Sequence, residues 1–389
     1  MLSSRFKYML RSLCHVETSR GLRRLHGLGW HPWNPCNPRP KIFIAILGVI
    51  LLFGHNAYAQ YSATKDGDVV RLIDRKTDTV VSILPSVGAV VFEMKVRGAN
   101  IINFSPASLE AFRQRPSNTG IPFLGPWANR LDEQAFYANG KRFPFNMELG
   151  NVTGARPIHG FLSWAPREIV EMKADAQAAW LTTKLEVYRN PQWMAQFPFA
   201  HTVTVTHRLR QGELEVTTRV ENLSSDPMPL SIGFHPYFQL TDSARDEWTL
   251  SVPARVEYLL TPEKIPTGET RPIEQLFPTP QSVALKDFNL DHVFADLTRD
   301  GLGQAKMSVT GRKQKIEVAF GPKYTTLVIF SPSGAGRGSG PPRNFVCFEP
   351  MTGITDAMNL AHKGLYKDLQ TIPPHQSWQE SFWIRPSGF

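Results

Sequence analysis

Cysteine is scarce in this chain of 389 residues. It has three, and Cys14 and Cys36 both precede residue 41. Beyond residue 60 only Cys347 remains. No disulfide can form within that portion, so its stability must come from a large apolar core. Long apolar runs are also missing, apart from Ile42 to Phe53. That run falls short of the roughly 20 residues a helix needs to cross a bilayer. Long helical periodicity is nearly absent. An excess of one charge is missing too, despite a net charge of +9. Residues 1–41 hold Arg5, Lys7, Arg11, Arg20, Arg23, Arg24, Arg39 and Lys41 against Glu17 alone, and residues 42–59 hold no charged side chain. The rest is close to neutral, which removes the electrostatic case for nucleic acid. No His-x-x-x-His or His-x-x-Glu-His spacing occurs, which argues against a zinc hydrolase. No Gly-x-Ser-x-Gly elbow occurs, which argues against a serine hydrolase. The glycine-rich stretch at 331–342 lacks Gly-Lys-Ser/Thr and a helical pattern after it, so a flexible loop is expected there and not a phosphate cradle.

What stands at the start has the form of a secretory leader. Arg39 and Lys41 precede the apolar run Ile42–Phe53, and Ala57-Tyr58-Ala59 follows it. A basic flank, a short apolar stretch and Ala-x-Ala predict cleavage after Ala59. The protein is then expected to be periplasmic or secreted, with no stable membrane association once the leader is removed. Residues 1–38 are rich in Arg, Pro and Trp and show no period. They are expected to lack packed structure or to lie upstream of the true start. Residues 60–389 are expected to form a single domain.

That domain reads as all-β. Short β-branched and apolar segments recur at Val69–Ile73, Val80–Leu84, Ala89–Met94, Trp180–Tyr188, His201–Leu209, Leu214–Asn222, Met307–Thr310, Lys315–Phe320 and Thr326–Phe330. Gln211-Gly212 is placed as a hairpin turn. Pro106–Arg115 is the best short helix, with Ser105 placed to cap it and Pro106 in its first turn. The pattern predicts a large antiparallel β-sandwich.

Five stretches carry residues suited to chemistry. Gly233-Phe234-His235-Pro236-Tyr237-Phe238 ends a strand expected over Met228–Gly233. Pro236 cannot donate to a ladder, so the strand should stop at His235 and leave the imidazole on an apolar rim. Pro126-Trp127-Ala128-Asn129-Arg130 offers amide and guanidinium donors for hydroxyl groups, with an apolar face at Trp127. Pro157-Ile158-His159-Gly160 has a glycine that permits close approach, although His-Gly alone is a common turn dipeptide. Asn289-Leu290-Asp291 offers a carboxylate that could accept from two hydroxyls, or serve an ordinary turn. Phe348-Glu349-Pro350 closes an apolar strand with a carboxylate. Partial burial there would raise its pKa and make it a better base near neutrality. Cys347, two residues before it, has no feature that argues for reactivity and is expected to be a buried spectator.

Taken in order, these stretches resemble the aldose 1-epimerase (galactose mutarotase) family, over about residues 80 to 385. The resemblance implies a large β-sandwich of the galactose mutarotase-like kind, with a sugar site in an open cleft. It implies interconversion of α and β anomers of free aldoses without a cofactor or metal, with a small sugar as the partner. By likeness Glu349 is the general base and His235 the general acid. Arg130, His159 and Asp291 match residues that position the substrate, Asn129 joins the substrate-binding set as a neighbour with no assigned contact, and Trp127 or Phe234 could stack on the sugar's C–H face. The segment after His159 is shorter than the glycine-rich version of sugar-operon mutarotases, so the sugar is not specified. A non-catalytic carbohydrate-binding protein on the same fold, a hexose-6-phosphate epimerase and a glycoside hydrolase using Asp291 and Glu349 are the competing readings.

Overall fold

Alternation along each strand builds the sheets. In His201–Arg210, the side chains of Val203, Val205, His207 and Leu209 are buried, while those of Thr204, Thr206 and Arg208 are only partly covered. The next strand, Glu213–Asn222, pairs with it antiparallel, from His201 opposite Asn222 to Arg210 opposite Glu213. The turn residues Gln211 and Gly212 have φ of 51° and 76°. Positive φ at both central positions lets a two-residue hairpin follow the strand twist.

The computed structural model describes residues 59–148, 151–333 and 343–389. They fold into stacked antiparallel sheets. A nine-stranded sheet runs in the order 168–174, 179–186, 201–210, 213–222, 377–387, 315–320, 305–310, 249–251 and 283–284. An eight-stranded sheet runs 266–272, 254–260, 290–297, 326–331, 346–351, 233–234 and 123–124, with 237–238 also paired to 346–351. A five-stranded sheet is made by the sequential strands between Tyr61 and Asn100. Between them lies one large core that includes Val205, Val216, Phe320, Ile329, Phe348 and Phe382.

The eight-stranded sheet positions the site. Its strand Val346–Met351 is buried along its whole length, because both of its faces are covered. Val346 and Phe348 join the main core. The opposite face carries Cys347, Glu349 and Met351, and Met351 packs in a second apolar layer with Val293, Val328, Ile354, Ala357 and Leu360. Glu349 therefore looks away from the main core. Cys347 is fully buried, as the sequence suggests, and burial pushes its thiol well above the usual value.

Three local expectations need correction. The strand expected over Met228–Gly233 is broken: Met228–Leu230 pairs with Gln370–Ile372, while Gly233–Phe234 joins the eight-stranded sheet. The chain switches partners at Ser231, which bridges Trp127 instead. The helix runs Leu109–Gln114 and is capped by Ser108, whose hydroxyl accepts from the Ala111 N–H. Ser105 does not cap it: the helix starts four residues later, and the Ser105 N–H is tied to the Thr119 hydroxyl at 3.0 Å. The strand expected over Trp180–Tyr188 ends at Glu186, and Val187–Arg189 turn as a short 3-10 helix. The expected leader up to Tyr58 and most of the 331–342 loop lie outside the described residues.

Candidate active site

Strand breaks place the functional side chains. His235 and Pro236 lie between the short strands Gly233–Phe234 and Tyr237–Phe238. The strand stops at the histidine because Pro236 has no N–H to give. The His235 N–H donates to Pro122 O at 3.1 Å, and the Tyr237 N–H to Gly120 O at 2.9 Å. Those bonds fix the imidazole flat against the Tyr237 ring, with centroids 4.5 Å apart and planes 6° from parallel.

Sheet register supplies the rest of the wall. Asp291 pairs with Phe330, Phe330 with Cys347, and Cys347 with Tyr237. Side chains directly opposite on neighbouring strands share a face. Glu349 lies two residues beyond Cys347 and so faces the same way. Its Oε1 is 3.2 Å from His235 Nε2.

A third group comes from two loops zipped together. Residues Asn129–Leu131 run against Pro157–His159, with the His159 N–H donating to Asn129 O at 2.9 Å and the Leu131 N–H to Pro157 O at 3.0 Å. Asn129 and His159 both take left-handed backbone conformations, φ 60° and 61°. Such conformations cost about 1–3 kcal/mol in non-glycine residues and persist where the surroundings enforce them. The Asn129 N–H donates to His159 Nδ1 at 3.1 Å. Nδ1 must therefore accept, so the neutral ring carries its proton on Nε2. Gly160 holds this arrangement together: a Cβ there would sit 2.1 Å from Gly125 O. The close approach that this glycine permits is thus by backbone, not by a ligand.

Arg130 is oriented from two sides. Its Nη1 donates to Asn129 Oδ1 at 3.0 Å, and its Nη2 to Asp291 Oδ2 at 3.2 Å. The Asp291 N–H in turn donates to His292 Nδ1 at 3.0 Å. Asp291 lies within the strand Leu290–Leu297 and not in a turn.

All six residues singled out in the sequence meet at one cavity of about 150 Å³. It is lined by Asn129, Arg130, His159, His235, Asp291 and Glu349, together with Asn118, Ile158, Tyr237 and Phe330. Pockets for drug-sized ligands measure roughly 300–1,000 Å³, so this smaller space suits a single sugar ring. A larger hollow of about 430 Å³ lies by the Gln211-Gly212 turn, between Arg210, Glu213 and Arg385. Arg385 is already paired with Glu213 there, and the lining holds no histidine.

Burial governs the electrostatics. Glu349 is 1% exposed and His235 5%. Desolvation raises the Glu349 carboxyl well above its ordinary value, helped by the Asp291 charge and opposed by Arg130. Desolvation lowers His235 to about 3. His159 is likewise pushed well below the usual imidazole range by burial, His235 and Arg130. The buried Glu349–His235 pair thus disfavours charge on either member and shares one proton at neutral pH. Glu349 Oε2 and His235 Nδ1 have no hydrogen-bond partner in the protein. Buried polar atoms are seldom left so.

The expected stacking residues are wrong. Trp127 is fully buried, packed against Phe136, Phe145 and Phe161. Phe234 is buried against Phe123 and Phe382. Both rings point into the core because their backbone is held in bridges to Ser231 and Phe123. The aromatic lining comes from Tyr237 and Phe330 instead. Sequence reasoning missed Phe330, whose only signal was its cross-strand register, and Asn118 and Ile158, which carried none.

The fold is a large antiparallel β-sandwich, with a buried Glu–His contact on one face of the eight-stranded sheet. Comparison with known proteins agrees. The family model described as aldose 1-epimerase matches residues 70–385, and the chain belongs to that family. A galactose mutarotase-like protein from Clostridium acetobutylicum superimposes with a TM-score of 0.73 at 22% identity, covering 85% of this chain and 98% of that one. The galactose 1-epimerase of Lactobacillus acidophilus NCFM gives a TM-score of 0.65 at 15% identity, covering 84% and 98%. Among curated proteins, the uncharacterized protein YihR of Escherichia coli K12 is 22% identical over 278 residues, which is 70% of this chain and 81% of that protein.

Proposed function

We propose that this protein is an aldose 1-epimerase, interconverting the α and β anomers of a free aldose. The observation that carries the reading is the Glu349–His235 contact of 3.2 Å inside a cavity of one-ring size. Glu349 takes the proton from the C1 hydroxyl. The C1–ring-oxygen bond breaks, its electron pair leaves with the ring oxygen, and C1 becomes a carbonyl. His235 gives its proton to the ring oxygen. Before this step the shared proton lies on His235, and after it the pair is the neutral one that burial favours. Rotation about C1–C2 presents the other carbonyl face, and the reverse transfers close the ring. Positioned acid and base groups contribute about 10²–10⁴-fold each in such proton transfers.

The neutral His159 Nε2–H and the Arg130 guanidinium offer donors to hydroxyls and to charge developing on oxygen. A hexose 6-phosphate is the less suited substrate, since the arginine lining the cavity is already held by Asp291 and Asn129. A sugar-binding protein without activity would have no use for two buried proton-transfer groups in contact. Polarimetry of freshly dissolved α-glucose and α-galactose tests the proposal. The protein should hasten equilibration, and binding of either sugar without acceleration would favour the non-catalytic reading. We also propose, from the sequence around Ile42–Ala59, that the protein works outside the cytoplasm. Mass analysis of the processed chain, with Gln60 as the new N-terminus, is the check.

A further inference from the structure

The strand that carries Glu349 ends at Met351, and the chain then turns into the short helix Ala357–His362. Asp356 stands before that helix with a left-handed backbone, φ 62°, and is 1% exposed. It occupies the capping position, where an aspartate would normally accept from the helix's own first N–H groups. Its side chain makes no such bond. The Asp356 N–H donates to Arg130 O at 3.0 Å, and Asp356 Oδ1 accepts from the Asp132 N–H at 2.9 Å. One residue thus grips the Arg130–Asp132 segment on both sides of Leu131.

The carboxylate is itself fixed. Asn359 Nδ2 donates to Asp356 Oδ1 at 2.7 Å and to Ala135 O at 3.1 Å. On its far side the same segment is zipped to Pro157–His159 by the bonds already described. Arg130 is therefore held between two clamps, and its guanidinium reaches Asp291 from a backbone that cannot slide. A buried left-handed aspartate whose acceptor serves Asp132 and the Asn359 side chain, and not the first N–H groups of its own helix, is a costly arrangement. A cap alone would not need it.

We propose that Asp356 is a positioning residue for Arg130, setting the height from which the guanidinium meets Asp291 and the cavity. For its activity readout this rests on the epimerase reading, but its structural test does not. Asp356→Ala should lower kcat/KM for anomer exchange by about a hundredfold, the scale expected when a binding group is misplaced by about 1 Å. Asp356→Asn keeps the acceptor toward Asp132 and should restore most of the activity. In an Arg130→Ala background the alanine change at 356 should cost less than about twofold, because residues acting through one group are not additive. A general folding role predicts equal losses in both backgrounds, and that result would overturn the proposal. Should Asp356→Ala fail to fold, Asp356→Glu, which moves the carboxylate by one methylene, makes the same comparison with the same two outcomes. A sugar-free crystal structure of the same position-356 variant should show the Arg130–Asp291 pair opened and the 130–132 backbone shifted. An unchanged pair would overturn the proposal even if the wild-type protein proved to have no epimerase activity, so the two claims fail separately.

Discussion

Glu349 Oε1 and His235 Nε2 lie 3.2 Å apart and shielded from solvent, the first on a strand and the second at the break between two short strands paired to it. Each leaves one polar atom without a protein partner, and the Arg130 charge only partly offsets the burial of Glu349. Such a pair is expensive for the fold and useful for proton transfer.

Glu349→Gln and His235→Asn should each lower kcat for anomer exchange by about 10²–10⁴-fold. The double variant should be scarcely worse than either single one, since the two act as a unit. Glu349→Gln should also raise the melting temperature, because it removes a buried carboxyl whose charged form the site disfavours. Steady-state polarimetry and thermal denaturation on the same preparations check both statements. A lowered melting temperature would mean that Glu349 stabilises the fold.

The pH–rate profile should be broad. An exposed Glu–His pair would titrate at about 4.3 and 6.5. Here burial lowers His235 to about 3 and raises Glu349. The pair keeps its one proton across that whole interval, so kcat/KM should hold level between about pH 5 and about pH 7. A clear inflection near about 6.5 would show that the working histidine is solvated.

Stability should peak near neutrality. His159, His201, His207 and His235 are all depressed by burial, His201 to about 4 and His207 to about 3. The unfolded chain binds protons that these groups refuse when folded, so stability falls as pH drops below about 6.5. Glu349 and Asp356 are raised, Asp356 to about 7, and act the other way: the stability they add at low pH is lost as pH rises toward those values. These four histidines, with His292 also lowered by burial, outweigh the two carboxyls on the acid side, which puts the maximum near about pH 6.5. Urea unfolding at a series of pH values tests this, and His207→Leu, remote from the cavity, should flatten the acid limb. Stability that stays flat from about pH 4.5 to about pH 6.5 would contradict the burial of these rings.

Gly160→Ala should be severe for a loop substitution. The residue has φ of 60°, and an added Cβ would meet Gly125 O at 2.1 Å. The backbone must move, which costs more than about 2 kcal/mol and carries His159 with it. Loss of both stability and sugar affinity is expected. Retention of both would show that the His159–Asn129 zipper is loose.

Much of this was legible in the chain, for identifiable reasons. Lys315–Phe320 is a strand at the bounds its alternation suggests, and Gln211-Gly212 is the hairpin turn its residue types require. Asn129, Arg130, His159, His235, Asp291 and Glu349 were noticeable because polar side chains stand beside prolines, glycines and aromatics where strands break. What could not be read was direction. Trp127 looks like a sugar platform until its bridge to Ser231 turns it inward. Phe330 reaches the cavity only through cross-strand register with Asp291 and Cys347. Asp356 has the sequence of a routine helix cap, and only long-range bonds to the 130–132 segment reveal its different use.

The most direct measurement is two-dimensional exchange NMR on the anomeric protons of an equilibrated aldose, glucose and galactose in turn. It reports α–β exchange while both anomers are at equilibrium, so binding alone produces no cross-peaks. The wild-type protein should give exchange cross-peaks with at least one sugar, and Glu349→Gln and His235→Asn should each abolish them. Cross-peaks that persist in both variants, or their absence with every aldose for the folded wild-type protein, would contradict proton transfer between these two side chains and the sugar.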